Sequence, residues 1–186
     1  APRLDSSIET AFLLAALADR AGDKVHVLAA DSHVRARVSG VRGPKIIETL
    51  AHTFTDISAR LDVTDWSQVA ATVEQTVHHS AFVVIATKIP PAGMETEFTD
   101  ALSRLTERHT VLVASATDPD ELRARRGRAD AEEVFLAASA ALSQRADEAG
   151  AADVRLAGAL TLQASADLLP ARTADRYIEL KKSGRL

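Results

Sequence analysis

The chain has 186 residues, 22 Lys+Arg against 26 Asp+Glu for a formal net charge of −4, and no cysteine. Hydrophobic residues make up 46% but aromatics only 4%, which predicts one domain over residues 1–186 with a core of Ala, Leu, Val and Ile. This composition excludes nucleic-acid steering by net charge, disulfides, thiol catalysis and thiolate metal sites. The longest apolar run, Ala11 to Ala18, is too short for a membrane helix, and no signal peptide opens the chain, which predicts a cytoplasmic segment without membrane contact.

The opening segment reads as a helix. Leu4, Ile8, Phe12 and Ala15 share a face that Leu13, Leu14 and Leu17 widen, which predicts burial on several sides. Asp5 and Glu9 suit its N-terminal dipole, and Ala21-Gly22-Asp23 stops it. Lys24 to Ala30 is a near-continuous apolar run, as in a strand covered on both faces. After a turn at Asp31-Ser32, Val34, Ala36 and Val38 alternate with Arg35 and Arg37. That period of two predicts a half-exposed, antiparallel edge strand whose arginines discourage edge pairing.

Gly40 to Pro44 is a loop, and Pro44 fits the start of a helix carrying Ile46, Leu50, Phe54, Ile57 and Leu61 inward. Thr64 or Asp65 caps the next helix, with Trp66, Val69, Val73 and Val77 facing the core. Ala81 to Ala86 is a second buried strand, broken by Pro90-Pro91-Ala92-Gly93. Met94, Phe98, Ala101, Leu102 and Leu105 form a helical stripe, and Thr110 to Ala116 is a third buried strand ended by Asp118-Pro119. Asp120 to Asp130 reads as a short helix and exposed loop, and Ala131 to Ala149 as a long helix with Gly150 at its end. Val154 to Leu160 is the final strand, and helical turns from Ser165 to Leu180 restart at Pro170. The alternation predicts an α/β fold with a mostly parallel sheet between helices. The chain nevertheless opens with a helix and no strand before it, whereas such folds place the first strand at the sheet centre.

Chemical motifs are sparse. No glycine-rich fingerprint precedes the first helix, and there is no Walker loop and no Gly-x-Ser-x-Gly elbow. Gly40-Val41-Arg42-Gly43-Pro44-Lys45 offers cations and a helix N-terminus, but its spacing is that of an ordinary strand-to-helix loop. The six histidines make no zinc pair; His78-His79 reads as a solvated helix end and His26 as a hydrogen-bonded core residue. Arg123, Arg125, Arg126 and Arg128 form a local basic patch that reads as a solvated loop.

The carboxyl ends of the strands are where an α/β sheet places ligands. Asp31 and Ser32 follow the first strand, Thr87 and Lys88 the second buried one, and Asp118 the third, while Thr64 and Asp65 open a helix nearby. Oxygens of this kind suit a hard divalent ion, but Lys88 puts a cation where a carboxylate is wanted. Turn formation and capping are the simpler roles for most of these residues.

Several stretches together resemble the C-terminal half of the bacterial domain-of-unknown-function 58 (DUF58) family, in its actinobacterial branch. They are Pro2-Arg3-Leu4-Asp5, Leu13 to Leu17 through Ala21-Gly22-Asp23-Lys24-Val25, Arg35 to Val38, Arg108 to Ser115, Asp118-Pro119 and the tail Ala174 to Leu186. The resemblance runs over nearly the whole chain, and the tail is its most specific part. It implies a three-layer α/β/α, Rossmann-like von Willebrand factor A-type fold, mostly parallel with one antiparallel edge strand. It implies a membrane-anchored parent with this domain on the cytoplasmic side, and a MoxR-type AAA+ ATPase as partner. The metal loop of such domains, Asp-x-Ser-x-Ser, is not in this chain; Asp5-Ser6-Ser7 has the wrong spacing and lies on the first helix. The family's threonine falls near Thr64, but its aspartate position holds Lys88, which implies a degenerate site with no metal and no cofactor.

A sheet of this type without its first strand has unpaired edges at its centre. Three outcomes are expected: a neighbour's strand fills the place by self-association, the sheet closes up, or the strand belongs to a preceding segment. The functional expectation is a non-enzymatic protein-interaction domain binding through Asp31, Thr64, Asp65, Thr87 and Lys88. The alternatives are a phosphate- or nucleotide-handling Rossmann-like enzyme using Lys88 and the Gly40–Lys45 loop, and a scaffold segment with no site of its own.

Overall fold

The computed structural model describes residues 2–59, 62–117 and 131–186. Among them are six helices and five strands in an α/β arrangement. Helix α1 (Pro2–Arg20) ends where Asp23 N–H donates to the Ala18 carbonyl at 2.8 Å, with Gly22 at φ +78° supplying the left-handed turn. Strands β1 (Val25–Ala30) and β2 (Val34–Val41) pair antiparallel, with Val27 opposite Val38 and Ala29 opposite Ala36. Helix α2 (Lys45–Phe54) buries Ile46, Leu50 and Phe54 in a cluster with Ala15, Val25, Ala36 and Val38.

The rest of the chain alternates strictly. It runs α3 (Trp66–Thr76), β3 (Phe82–Ala86), α4 (Thr96–Thr106), β4 (Thr110–Thr117), α5 (Ala131–Leu156), β5 (Leu160–Ser165) and α6 (Leu169–Lys182). Strands β3, β4 and β5 form a parallel sheet with β4 in the middle, Val84 opposite Leu112 and Ala114 opposite Leu162. Alternate residues of this sheet feed two cores. Val83, Ile85, Val111 and Val113 pack with Trp66, Ala70, Phe98, Leu102 and Val154 of α3, α4 and α5. On the other face Val84, Ala114, Ala116, Leu162 and Ala164 pack with Leu169 of α6. The middle strand, covered on both faces and paired on both edges, is buried from Val111 to Ala116.

The expected single sheet is two sheets. Strand β1 pairs only with β2 and β3 only with β4 among the described residues. The sheet has therefore not closed up. Several contacts bridge the halves. The Tyr177 hydroxyl of α6 lies 2.7 Å from Asp23 Oδ2, ahead of β1, and its ring stacks on Phe82, the first residue of β3, with centroids 6.1 Å apart. Lys181 also donates to Asp23. Asp65 N–H donates to the Asp31 carbonyl at 2.9 Å beyond the end of β1, and Arg37 reaches Thr76 Oγ1 at 2.6 Å. Strands β1 and β3 thus begin at one end of the molecule, on either side of Tyr177.

The open edges correct three expectations. Strands β1 and β3 are only partly buried, and among the described residues each lacks a second neighbour. Helix α1 buries Ser6, Thr10 and Ala15, while Leu13 is 36% exposed and most of its apolar residues are half-buried. Its small buried residues are consistent with close packing on α6, its principal partner. His26 is exposed on β1 rather than in the core.

Other boundaries also move. Met94 precedes α4 and is 73% exposed. Ile57 lies beyond the end of α2, though it still packs on that core. Helix α5 runs through Gly150 to Leu156, so the last strand starts at Leu160 and Val154 is a buried helical residue. Gly150 is not a helix stop. A Cβ there would lie 2.1 Å from the Pro90 carbonyl oxygen, so only glycine lets α5 cross that loop. Leu61, Asp118-Pro119, the segment 120–130 and the basic patch Arg123, Arg125, Arg126 and Arg128 lie outside the described residues. No helix of the described residues is long and apolar enough to cross a membrane.

Candidate functional site

The residues singled out at the strand ends fall into two groups. The first surrounds the end of β1. Asp31 accepts from His33 N–H at 3.2 Å and from Arg35 Nη1 at 2.9 Å. Burial pushes its carboxyl up, but the His33 amide and the Arg35 guanidinium outweigh that and hold it below the ordinary carboxylate range. Its oxygens therefore close the β1–β2 turn. Asp65, rather than Thr64, caps α3, accepting from Gln68 N–H at 2.8 Å. The backbone bond from Asp65 to Asp31 is what brings the two together. Thr64 is half-buried beside this cap.

The second group lies at the ends of β3, β4 and β5. Thr87 extends the ladder by donating its N–H to Ala114 O at 3.1 Å. Lys88 is exposed and lines a small pocket with Arg3, Ser115, Ala116, Thr117, Asp147 and Gln163. Ser115 and Thr117 are two apart on β4, and Ser115 lies opposite Gln163 of β5, so the three polar side chains share the α5 face. Buried Trp66 follows Asp65, buried Ile89 follows Lys88, and both belong to one core cluster, which ties the two groups to the same end of the molecule. Trp66 is held by a 3.1 Å bond from Nε1 to Glu95 Oε2 and by Phe98, with ring centroids 4.5 Å apart.

Sequence reading missed Arg3, Ser115, Thr117, Asp147 and Gln163. A signal was present, because Ser115, Thr117 and Gln163 interrupt otherwise apolar strands near their carboxyl ends. Register and helix placement supply the rest, and these are non-local.

The pocket holds about 20 Å³, enough for one water-sized group and far below the roughly 300 Å³ at which small-molecule sites begin. A larger groove of about 270 Å³ runs between the Pro90–Thr99 segment and α5. Among the described residues it is lined by Glu95 and Asp153 and by no lysine or arginine, so their charge repels phosphate. The anion-loop alternative at Gly40–Lys45 meets a further obstacle: Asp19 Oδ1 accepts from Gly43 N–H at 2.5 Å, so a carboxylate of the chain occupies that amide. Among the described residues no group of three or more His, Asp or Glu gathers in metal-binding geometry, and His78-His79 is exposed beyond α3. Comparison with protein-family models, with curated proteins and with solved structures returns no match.

Proposed function

We propose that this chain is a non-enzymatic protein-interaction domain of von Willebrand factor A-like architecture, of the DUF58 type, working with a MoxR-type AAA+ ATPase on the cytoplasmic side of a membrane-anchored parent. The observation that carries the reading is the relation of β1 to β3. Two apolar strands begin on either side of Tyr177, each has one edge unpaired among the described residues, and β2 is antiparallel at the outer side of β1. In the resembled family the first strand runs between the strands that correspond to these two. The partner-binding end of this reading is the carboxyl end of the strands, with Asp31, Thr64 and Asp65 in one group after β1 and Thr87 and Lys88 in another after β3. Asp31 and Asp65 shape that surface through internal bonds, while Lys88 presents its charge to solvent.

Co-purification of the chain with a MoxR-type ATPase from the same organism tests this reading. Wild-type protein is expected to retain the ATPase, and Lys88→Glu to weaken retention by about tenfold, the scale of one charged contact. Asp65→Ser keeps an oxygen for Gln68 N–H while removing the charge, which separates binding from folding. Absence of retention, or equal retention by Lys88→Glu, overturns the proposal.

A further inference from the structure

The groove between the Pro90–Thr99 segment and α5 lies along the helical flank of the parallel sheet, from Pro90 after the carboxyl end of β3 to Ala157 before the amino end of β5. Both of its ends are pinned. Gly150 of α5 lies against the Pro90 carbonyl, where not even a Cβ would fit, and the Thr106 hydroxyl of α4 donates to the Ala157 carbonyl at 2.8 Å. Two carboxylates line the groove, each already oriented. Trp66 Nε1 donates to Glu95 Oε2 at 3.1 Å, and Gly93 N–H donates to Asp153 Oδ2 at 3.2 Å. An ionised carboxylate accepts up to about four hydrogen bonds, so both keep capacity for a further donor. The Thr99 and Ser103 hydroxyls donate inward, to the Thr96 and Thr99 carbonyls at 2.9 Å, and Pro90 and Pro91 carry no N–H. The groove is therefore rich in acceptors and poor in donors.

Two cations in neighbouring turns are engaged elsewhere: Arg155 donates to Thr161 Oγ1 and Arg104 to Glu74. Asp153 stands in the last turn of the 26-residue helix α5, where the dipole favours positive charge. The opposing dipole at the start of α4 is offset by Glu95 and Glu97. The surface beside the carboxylates is apolar, with Met94 73% and Leu156 85% exposed. The groove's volume of about 270 Å³ far exceeds the roughly 10–15 Å³ that one water needs and stops short of the small-molecule range, which suits one long side chain. We infer that this groove takes the side chain of a single arginine carried by a protein partner. The planar guanidinium fork reaches carboxylates of two segments at once, which the point charge of an ammonium does not match. Its aliphatic stem lies along Val154, Leu156 and Ala157. Because the carboxylates are held in place beforehand, little ordering is required of them on binding. The inference concerns a surface apart from the strand-end residues and depends neither on the ATPase nor on Lys88.

The test is an amide-resolved NMR titration of the full chain, at matched ionic strength, with three blocked tripeptides, acetyl-Leu-X-Leu-amide. X is arginine, lysine or citrulline, the last an uncharged isostere of arginine. The arginine peptide is expected to shift the amides of Gly93, Glu95, Thr99, Asp153 and Ala157 saturably. The lysine peptide is expected to bind about threefold more weakly, and the citrulline peptide about tenfold or more. Asp153→Asn keeps an acceptor for Gly93 N–H and removes the charge, and Glu95→Gln does the same toward Trp66 Nε1. Each variant is expected to weaken the arginine peptide by about tenfold. No saturable shift with the arginine peptide, citrulline or lysine binding as tightly as arginine, or undiminished binding in either variant overturns the inference. So does movement of the same amides with protein concentration in the absence of peptide, which assigns the groove to a second copy of the chain. Loss of ATPase retention with the arginine peptide bound as described sinks the strand-end reading alone; the converse result sinks the groove alone.

Discussion

His109 sits at the start of the segment leading into β4, 6% exposed, with neither ring nitrogen hydrogen-bonded. Burial pushes its pKa down, Arg108 adds to that, and Glu74 opposes it in part. The folded state therefore resists a proton that the unfolded chain accepts. Its stabilising contribution is full above the ordinary histidine pKa of roughly 6.5 and declines as pH falls below that value. Denaturant titrations at pH 7.5 and pH 5.5 are expected to show lower stability at the acidic pH, with a smaller difference in His109→Leu. An unchanged difference in the variant would refute the assignment. Asp23 acts in a separate window. Burial raises its pKa, but the bonds from Lys181 and Tyr177 outweigh this and lower it, so its contribution is lost only as pH falls below the ordinary aspartate value of about 3.9. Gly150 gives a test with an informative sign. In an exposed helix Gly→Ala stabilises by up to about 1 kcal/mol. Here the added methyl meets the Pro90 carbonyl, so Gly150→Ala is expected to destabilise by about 1–3 kcal/mol and to lower the thermal midpoint. A raised midpoint would show that the loop yields.

Elements whose burial matches their local pattern are legible in the sequence. The stripe Phe98, Ala101, Leu102 and Leu105 became the buried face of α4, and Thr110 to Ala116 became the central strand β4. The alternation of Val34, Ala36 and Val38 with Arg35 and Arg37 is the antiparallel pairing of β2. The last third of the chain was less legible. Gly150 resembles a helix stop, yet the close crossing over Pro90 needs a glycine inside α5, and so the boundary with β5 was misplaced. Asp65 illustrates a residue whose capping role was readable and whose position was not. Asx caps follow from sequence, but the backbone bond to Asp31 depends on two segments meeting. Pro170 does restart the chain, as a residue of the first turn of α6.

At the scale of the molecule, the edges of β1 and β3 that are unpaired among the described residues dominate. Each presents backbone donors and acceptors along an apolar strand, the arrangement that recruits another strand. Purified chain is therefore expected to self-associate, with sedimentation velocity showing mass rising above 19.8 kDa with concentration. Hydrogen exchange is expected to slow in β1 and β3 in parallel, while β4 is protected throughout. A single 19.8 kDa species at every concentration, with β1 and β3 as protected as β4, would refute this. Periodicity and turn chemistry act over a few residues. They suffice for the α/β class, the order of strands and helices and the residues at strand ends, because backbone geometry repeats every two or 3.6 residues. Which strands pair, how α5 crosses Pro90, and the meeting of Arg3, Lys88, Ser115, Asp147 and Gln163 around one pocket depend on contacts between residues far apart in the chain. Those follow from packing of whole faces, for which no local pattern carries a code.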